Sequence, residues 1–219
     1  MVTRPAAALS VARPRRGSPT DTRGRLVAAA AVLFNRDGYY GTDSNRIAEE
    51  AGYAAGTFYK HFEDKRAVLL AAYETWVTSE WQAIESEMLA RRPREAVASR
   101  VVALVVRLHR RWRGLRASLM ALLAVDPHVR RFHRAQRKRQ LELLAKLRAR
   151  LGVPPRRREE DAVLLFALER VCDGIAQGEV RDLGLARRVV EQTLREMVAR
   201  AMGPRTGARC KRQRALLSA

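Results

Sequence analysis

Residues 55–61 carry side chains that can bind nucleic acid. Phe58 and Phe62 are spaced i, i+4, so a helix here would bury them on one face. The opposite face would present small residues, hydrogen-bonding groups and a cation: Ala55, Gly56, Thr57, Tyr59, Lys60 and His61. Small residues let a helix enter a major groove, while hydroxyl, imidazole and ammonium groups bond phosphates and base edges. The pattern favours DNA binding, and a plain helical hairpin with a polar surface is the alternative.

Two short helices must position this face. Thr42 is a good N-cap for a helix through residue 50, and Gly52 permits the left-handed backbone of a tight turn. A further helix follows at 54–61, so we predict a helix-turn-helix motif at 43–62. Ala54 stands at the cap of that helix without a capping side chain. A missing cap typically costs about 1 kcal/mol, so we expect this helix to be less firmly ordered before DNA binds.

The rest of the chain has the apolar periodicity of helices, and no run alternates in the manner of a strand. Asp64 is a cap for a long helix, and the candidate caps of the first helix are Thr20, Asp21 and Thr22. We predict an all-α fold of about nine helices, with a three-helix N-terminal helix-turn-helix domain and a larger helical domain.

The charge is unevenly distributed. The formal net charge of +20 favours polyanionic partners, either nucleic acid or an anionic membrane surface. Nine basic residues lie in the two ends of the chain, where they either grip a polyanion or are simply solvated. The predicted divisions are a disordered basic arm (1–20), a DNA-binding domain (21–79), a second helical domain (80–203) and a disordered basic tail (204–219).

Several functions are excluded by missing signals. Cys172 and Cys210 are far apart, and the four histidines lack ligand spacing, so neither a zinc site nor another cofactor is predicted. The sequence contains no nucleophile-elbow motif, no P-loop motif and no glycine-rich dinucleotide-binding motif, which argues against an enzyme. No apolar run reaches the roughly 18–20 residues of a membrane span, and no signal peptide is visible. We therefore expect a cytoplasmic protein without a membrane partner.

A longer pattern runs through residues 31–70. It comprises Ala-Val-Leu-Phe at 31–34, Gly-Tyr at 38–39, Thr42, Ile-Ala-Glu-Glu-Ala-Gly at 47–52, Gly-Thr-Phe-Tyr-Lys-His-Phe at 56–62, Lys65 and Leu-Leu at 69–70. These motifs resemble the N-terminal domain of tetracycline-repressor-type (TetR family) regulators. Beyond residue 80, only the pattern of helices resembles that family.

The resemblance implies individual roles in DNA binding. Thr42 would cap the second helix, and Ser44 and Lys65 would lie near phosphates. Tyr59 and His61 would also bond phosphates, whereas Ala55, Gly56, Thr57 and Lys60 would face the groove. Asn45 stands where relatives often carry Arg; because Asn suits adenine and Arg suits guanine, the base preferred there is open.

The resemblance also implies a ligand-released homodimeric repressor on a palindromic operator. The last two long helices, at about 157–177 and 185–202, would pair with their copies, although intrachain core explains their apolar stripes equally well. A mainly apolar small-molecule effector is expected in a pocket among the central helices, and the candidate lining residues are Trp81, Met88, Leu104, Val105, Leu108, Trp112, Leu119, Met120, Leu123, Phe132 and Phe166.

Other functions remain open at this stage. A transcriptional activator, or a less specific DNA-coating regulator that uses the basic ends, would carry the same motif. The basic run at 130–139 either attracts an acidic ligand such as an acyl thioester, touches DNA, or is a solvated helix face. A membrane-surface role for the helix at 127–151 is weakened by an apolar stripe that looks like ordinary core.

Overall fold

The computed structural model describes residues 18–203, which form helices without a strand in that range. The helices are α1 (Pro19–Asp37), α2 (Ser44–Glu50), α3 (Ala55–Tyr59), α4 (Lys65–Leu89), α5 (Arg94–Arg111), α6 (Arg113–Leu123), α7 (Pro127–Arg150), α8 (Arg158–Gln177), α9 (Glu179–Asp182) and α10 (Arg187–Met202). The all-α prediction is confirmed, and the count exceeds nine by the short α9. The predicted arm up to residue 17 and the tail at 204–219 lie outside the described residues.

Two helix starts differ from the prediction. Helix α1 begins at Pro19 with Ser18 as its N-cap, whose hydroxyl accepts a hydrogen bond from the Asp21 amide at 3.3 Å. A cap followed by proline at the first helical position is a strong start signal, so the predicted caps at 20–22, and the predicted disorder of residues 18–20, are wrong. In α2 the cap is Asp43, not Thr42, and Asp43 accepts from the Arg46 amide at 2.9 Å.

The apolar side chains form two buried clusters. The first joins α1–α4 with α6 around Phe34 and Phe58, and α1 packs against both α4 and α6. The second joins the later part of α4 with α5, α8 and α10. Helix α4 therefore runs through both clusters and connects the N-terminal helices to the rest of the chain. No helix within residues 18–203 is both long and apolar enough to cross a bilayer.

A buried network of ion pairs crosses between these helices. The Arg116 guanidinium contacts Asp173 at 2.7 Å and Glu169 at 3.2 Å, and donates to the Tyr73 hydroxyl at 3.1 Å. His109, only 2% exposed, contacts Asp173 through Nδ1 at 2.8 Å and Glu80 through Nε2 at 3.4 Å. Each buried charge thus has an opposite charge beside it, which buried ions require.

Candidate functional site

The turn between α2 and α3 has the geometry that the sequence predicts. Gly52 adopts φ 80°, in the left-handed region that glycine populates easily. Its amide donates to the Glu49 carbonyl at 2.9 Å, and the Tyr53 amide donates to the Ala48 carbonyl at 2.8 Å. The turn closes the end of α2 tightly and places α3 across it, so the predicted helix-turn-helix arrangement is present.

One face of α3 is buried and the other faces solvent. Phe58 and Phe62 are buried in the first cluster, and their ring centroids lie 5.7 Å apart. Tyr59 is 59% exposed. Ala55, Gly56 and Lys60 are also exposed, whereas Thr57 and His61 are half-buried. Four of the six predicted contact residues are therefore exposed, and Lys60 and His61 follow the helix rather than lie within it.

Gly56 has no packing partner within the chain. A Cβ atom added to this residue would meet nothing within 4 Å, and its φ does not require glycine. Glycine in a helix lowers stability by about 0.5–1 kcal/mol relative to alanine. The intramolecular structure gives no reason for this cost, which leaves close approach by an external surface.

Helix α3 lacks a side-chain cap, as the sequence predicts. Ala54 occupies the N-cap position with extended backbone (φ −72°, ψ 152°) and forms no capping hydrogen bond. The helix has only five residues, so it depends on the burial of Phe58 and Phe62 rather than on its own hydrogen bonds.

Thr42 is not available to a phosphate. Thr42 is only 2% exposed, and its hydroxyl donates to the Gly38 carbonyl at 2.9 Å. This contact ties the α1–α2 loop together. The next two predicted residues are better placed, because Ser44 is half-buried at the start of α2 and Asn45 is exposed beside it.

Lys65 also has intramolecular partners. Its ammonium group donates to the carbonyls of Tyr39 and Thr42, both at 3.0 Å, and lies 4.3 Å from the centre of the Tyr39 ring. These contacts fasten the α1–α2 loop to the start of α4. The predicted phosphate contact would therefore compete with a positioning role.

Two residues beside this surface were missed from the sequence. Tyr40 is 76% exposed and packs edge-on against Tyr39, with centroids 5.4 Å apart. The exposed Arg23 guanidinium lies 5.0 Å from the centre of the Phe62 ring, which brings the start of α1 to the end of α3. A second Tyr after the Gly-Tyr motif was a visible signal, whereas the position of Arg23 depends on a tertiary contact.

A cavity of about 80 Å³ lies among α4, α5, α7, α8 and α10. Its apolar lining is Trp81, Ile84, Met88, Val101, Val105, Leu144, Leu151, Val153, Leu164, Leu165, Leu168, Val198, Ala201 and Met202. Its charged lining is Glu80, Glu169 and Arg148. Both glutamates already belong to the buried network, where His109 and Arg116 compensate them.

Arg148 is the charged cavity residue with an unused donor. Its Nη atoms donate to the Ala201 carbonyl at 3.0 Å and the Pro154 carbonyl at 2.7 Å, while the buried Nε has no hydrogen-bond partner. Its nearest carboxylate oxygen, on Asp161, is 4.0 Å away. Burial holds the pKa of Arg148 below its usual value. An acceptor atom in the cavity would compensate this cation.

Of the eleven residues predicted to line a pocket, Trp81, Met88 and Val105 line this cavity and the other eight do not. Leu104 and Leu108 belong to the second cluster, whereas the first cluster holds or contacts Trp112, Leu119, Met120, Leu123 and Phe132. Phe166 is more than half exposed, with the Arg137 guanidinium 5.5 Å from its ring centre. For the α6 residues the cause is the packing of α6 against α1, which turns its apolar face toward the N-terminal helices.

The apolar residues of α8 and α10 that were predicted to contact a second copy of the chain differ in exposure. Ile175, Leu194 and Val198 are buried within the chain. In contrast, Val163, Phe166 and Val189 are each more than half exposed. Val190 and Met197 are half-buried. The apolar stripes therefore supply intrachain core and an exposed remainder on the same helices.

Residues 26–72 match the family described as bacterial regulatory proteins, tetR family. The match runs from within α1 to within α4, so these N-terminal helices are similar to the helix-turn-helix domain of that family. An uncharacterised HTH-type transcriptional regulator, YerO of Bacillus subtilis, is 30% identical over 82 residues. That match covers 36% of this chain and spans 28% of the relative. The fatty acid metabolism regulator protein of B. subtilis is 25% identical over 181 residues, or 80% of each chain.

Solved structures share the fold over most of the chain. A transcriptional regulator from Saccharomonospora viridis in complex with choline has a TM-score of 0.64 at 20% identity, covering 82% of this chain and 96% of its own. The regulator FadR from B. subtilis in complex with stearoyl-CoA has a TM-score of 0.58 at 14% identity, covering 80% and 97%. Identities this low establish the fold alone.

Proposed function

We propose that this chain is a cytoplasmic homodimeric repressor that binds a palindromic DNA operator and is released by a small molecule. The observation that carries the proposal is the exposed face of α3, where Gly56 leaves its backbone open beside Tyr59 and Lys60. Such a face admits close approach to base edges, and the surrounding polar groups bond phosphates.

The proposed DNA contacts follow from exposure. Ala55, Gly56, Thr57 and Lys60 face the groove, while Ser44, Tyr59 and His61 bond phosphates. Asn45 is exposed at the start of α2 and reaches a base or the backbone. Thr42 and Lys65 act by holding the α1–α2 loop, which presents that part of the surface.

The proposed dimer uses α8 and α10. Val163 and Phe166 on α8, and Val189 on α10, are large apolar side chains left exposed. Covering them with the same helices of a second copy would form a symmetric interface and remove apolar surface from water. The dimer then carries two reading heads, which are the two copies of the helix-turn-helix motif at residues 43–62. Each would bind one half-site of a palindromic operator.

Substituting Gly56 tests the reading head. Gly56→Ala is expected to raise the free energy of unfolding by up to about 1 kcal/mol, because alanine favours a helix. The added methyl group would nevertheless obstruct the groove; overpacking by about 1–3 kcal/mol corresponds to roughly a 5- to 150-fold loss of affinity. The measurement is anisotropy titration of the full chain on a duplex that the wild type enriches from random DNA.

Gly24→Ala is the matched control for this experiment. Gly24 is also exposed in a helix and also has nothing within 4 Å of an added Cβ, but it lies on α1. It should gain similar stability and keep wild-type affinity. Equal affinity of all three proteins for the selected duplex would refute the assignment of α3.

The proposed effector is an apolar chain that ends in an acidic or thioester head. The cavity walls are apolar, and Arg148 offers the unused donor. The name of the 25% identical fatty acid metabolism regulator and the stearoyl-CoA complex of a structural relative point to the same chemistry. The choline complex of another structural relative supports a cationic ligand instead, but both cavity glutamates here have cationic partners.

Filling the cavity tests the effector proposal. Val105→Phe is expected to leave operator affinity unchanged and to weaken release by a fatty acid or its acyl thioester by roughly 5- to 150-fold, since inserted core volume costs about 1–3 kcal/mol. Release is measured as loss of anisotropy of the protein–operator complex. Thermal unfolding verifies that the variant is folded. If the variant responds to both probes exactly as the wild type does, the cavity is not the effector site.

A further inference from the structure

Two corners of the second domain form a concave, strongly basic surface. One corner is the junction of α5 with α6, and the other is the turn from α8 through α9 to α10. The arginines that line the surface are Arg107, Arg110, Arg111, Arg113, Arg181 and Arg187. We call these six residues the arginine corner.

Four of the six residues in the arginine corner have no compensating charge. Arg181 pairs with Asp182 at 3.0 Å, and Arg187 pairs with Glu191 at 2.7 Å. Arg111 is exposed and lies 5.4 Å from the centre of the Trp112 ring, without an ion pair in the described residues. The side chains of Arg107, Arg110 and Arg113 are exposed and form no ion pair or hydrogen bond within residues 18–203. Glu191, already shared with Arg187 and Arg195, is the acidic residue that lines the surface.

Local helix electrostatics explain only part of this arrangement. Arg110 lies in the last turn of α5, where the helix dipole favours a cation. Arg113, however, is the first residue of α6, where the dipole disfavours one. Arg107 and Arg110 are also spaced i, i+3 on one helix, so they repel each other. An external anion at this surface would offset both unfavourable terms.

The arginine corner lies at the end of the second domain that adjoins the DNA-binding domain. The Asn35 side chain, near the end of α1, donates to the Arg111 carbonyl at 2.9 Å and accepts from the Gly114 amide at 3.0 Å. A Cβ at Gly114 would lie 2.0 Å from the Asn35 carbonyl oxygen, so the two elements approach as closely as glycine allows. The corner is thus fixed to α1.

We propose that the arginine corner binds DNA phosphates between the two half-sites of the operator, in addition to the contacts of α3. This proposal rests on the proposed function. The argument for DNA as the occupant is charge complementarity together with position: four exposed guanidinium groups without an ion pair in the described residues lie at the end of the domain that carries the reading head. Guanidinium groups bind phosphate through two parallel hydrogen bonds, and they stay charged at every physiological pH.

The salt dependence of DNA binding tests the proposal. The variant Arg107→Gln/Arg110→Gln/Arg113→Gln is compared with Arg91→Gln/Arg157→Gln/Arg158→Gln. The control removes the same charge from exposed arginines whose side chains also form no ion pair or hydrogen bond within the described part of the chain. Arg157 and Arg158 lie at the start of α8, the opposite end of that helix from the corner.

Each phosphate contact contributes about 0.9 to the slope of log K against log salt concentration. Losing two to six contacts per dimer should therefore lower the slope by about 2–5, and only in the corner variant. The wild-type duplex is then compared with one whose spacer carries neutral methylphosphonate linkages. Neutral linkages should weaken the wild type and the control, and leave the corner variant unchanged.

Equal slopes for the two variants would overturn the proposal. If inorganic tripolyphosphate then bound the wild type more tightly than the corner variant, the surface would be a site for a small polyanion. Failure of the proposed function has a different signature, because a wild type without sequence preference would leave no selected duplex to compare. If the corner variant retains its sequence preference, the arginine corner contacts the DNA backbone and α3 contacts the bases.

Discussion

Arg116→Met is expected to lower the free energy of unfolding by about 3–5 kcal/mol, the range observed when one partner of a buried ion pair is removed. The guanidinium is buried, and it compensates both Asp173 and Glu169 while donating to Tyr73. Without it, two carboxylates on α8 would share fewer cations in a site that excludes water. Urea unfolding of the full chain, followed by circular dichroism, measures the difference.

Arg139→Met is the control, because it removes the same charge from the surface. Arg139 pairs with Glu74 at 2.7 Å, but the two side chains are 57% and 43% exposed. Exposed pairs contribute about 0–1 kcal/mol, so this variant should unfold almost like the wild type. A loss in Arg116→Met no larger than that of Arg139→Met would show that the buried network does not hold these helices together.

The network also connects the two halves of the molecule. Glu80 and Glu169 line the internal cavity, and the same carboxylates hold His109 and Arg116. Arg116 in turn holds Tyr73, which belongs to the cluster shared with the DNA-binding helices. A ligand that moves either carboxylate therefore alters contacts that reach α4 and α6. This physical linkage is what the proposed release mechanism requires.

The local features of the α2–α3 segment were predictable from the sequence because they depend on short-range physics. Gly52 marks a left-handed turn, Phe58 and Phe62 share a helix face, and Asp64 caps α4 through the Ala67 amide at 2.7 Å. The N-cap of α2 was predicted one residue too early, because Thr42 and Asp43 are adjacent and both residue types can cap a helix. Burial of the threonine side chain, a tertiary effect, decided between them.

Periodicity predicted only three of the residues that line the cavity, Trp81, Met88 and Val105. A helical period shows which residues share a face, but not which neighbouring helix that face meets. Helix α6 turned toward α1, so Met120 and Leu123 pack on the N-terminal cluster instead of lining the cavity. Arg148 could not be distinguished from the other arginines of its basic helix in the sequence. Only its burial in the structure identifies it as a residue with an unused donor. Long side chains such as Lys65 likewise find partners that sequence spacing does not indicate.

His109 should make the stability of the fold depend on pH above neutrality. Burial lowers the pKa of His109, but hydrogen bonds to Asp173 and Glu80 outweigh that effect and raise it from 6.5 to about 9, against a smaller opposing effect of Arg116. Because the folded pKa exceeds the unfolded one, the stabilisation is complete below about pH 6.5 and is lost as the pH rises through about 9. The difference corresponds to at most about 3 kcal/mol.

Urea unfolding of the wild type and His109→Gln at intervals from pH 6 to pH 10 measures this loss. The variant should be less stable at pH 6 and should lack the decline, so the two profiles converge at high pH. His133 provides the contrast, because burial lowers its pKa to about 4 and its neutral form is favoured by the fold. Substituting His133 should therefore alter the pH dependence of the free energy of unfolding only between about pH 6.5 and about pH 4. Parallel profiles for wild type and His109→Gln above neutrality would mean that His109 carries no charge between its two carboxylates.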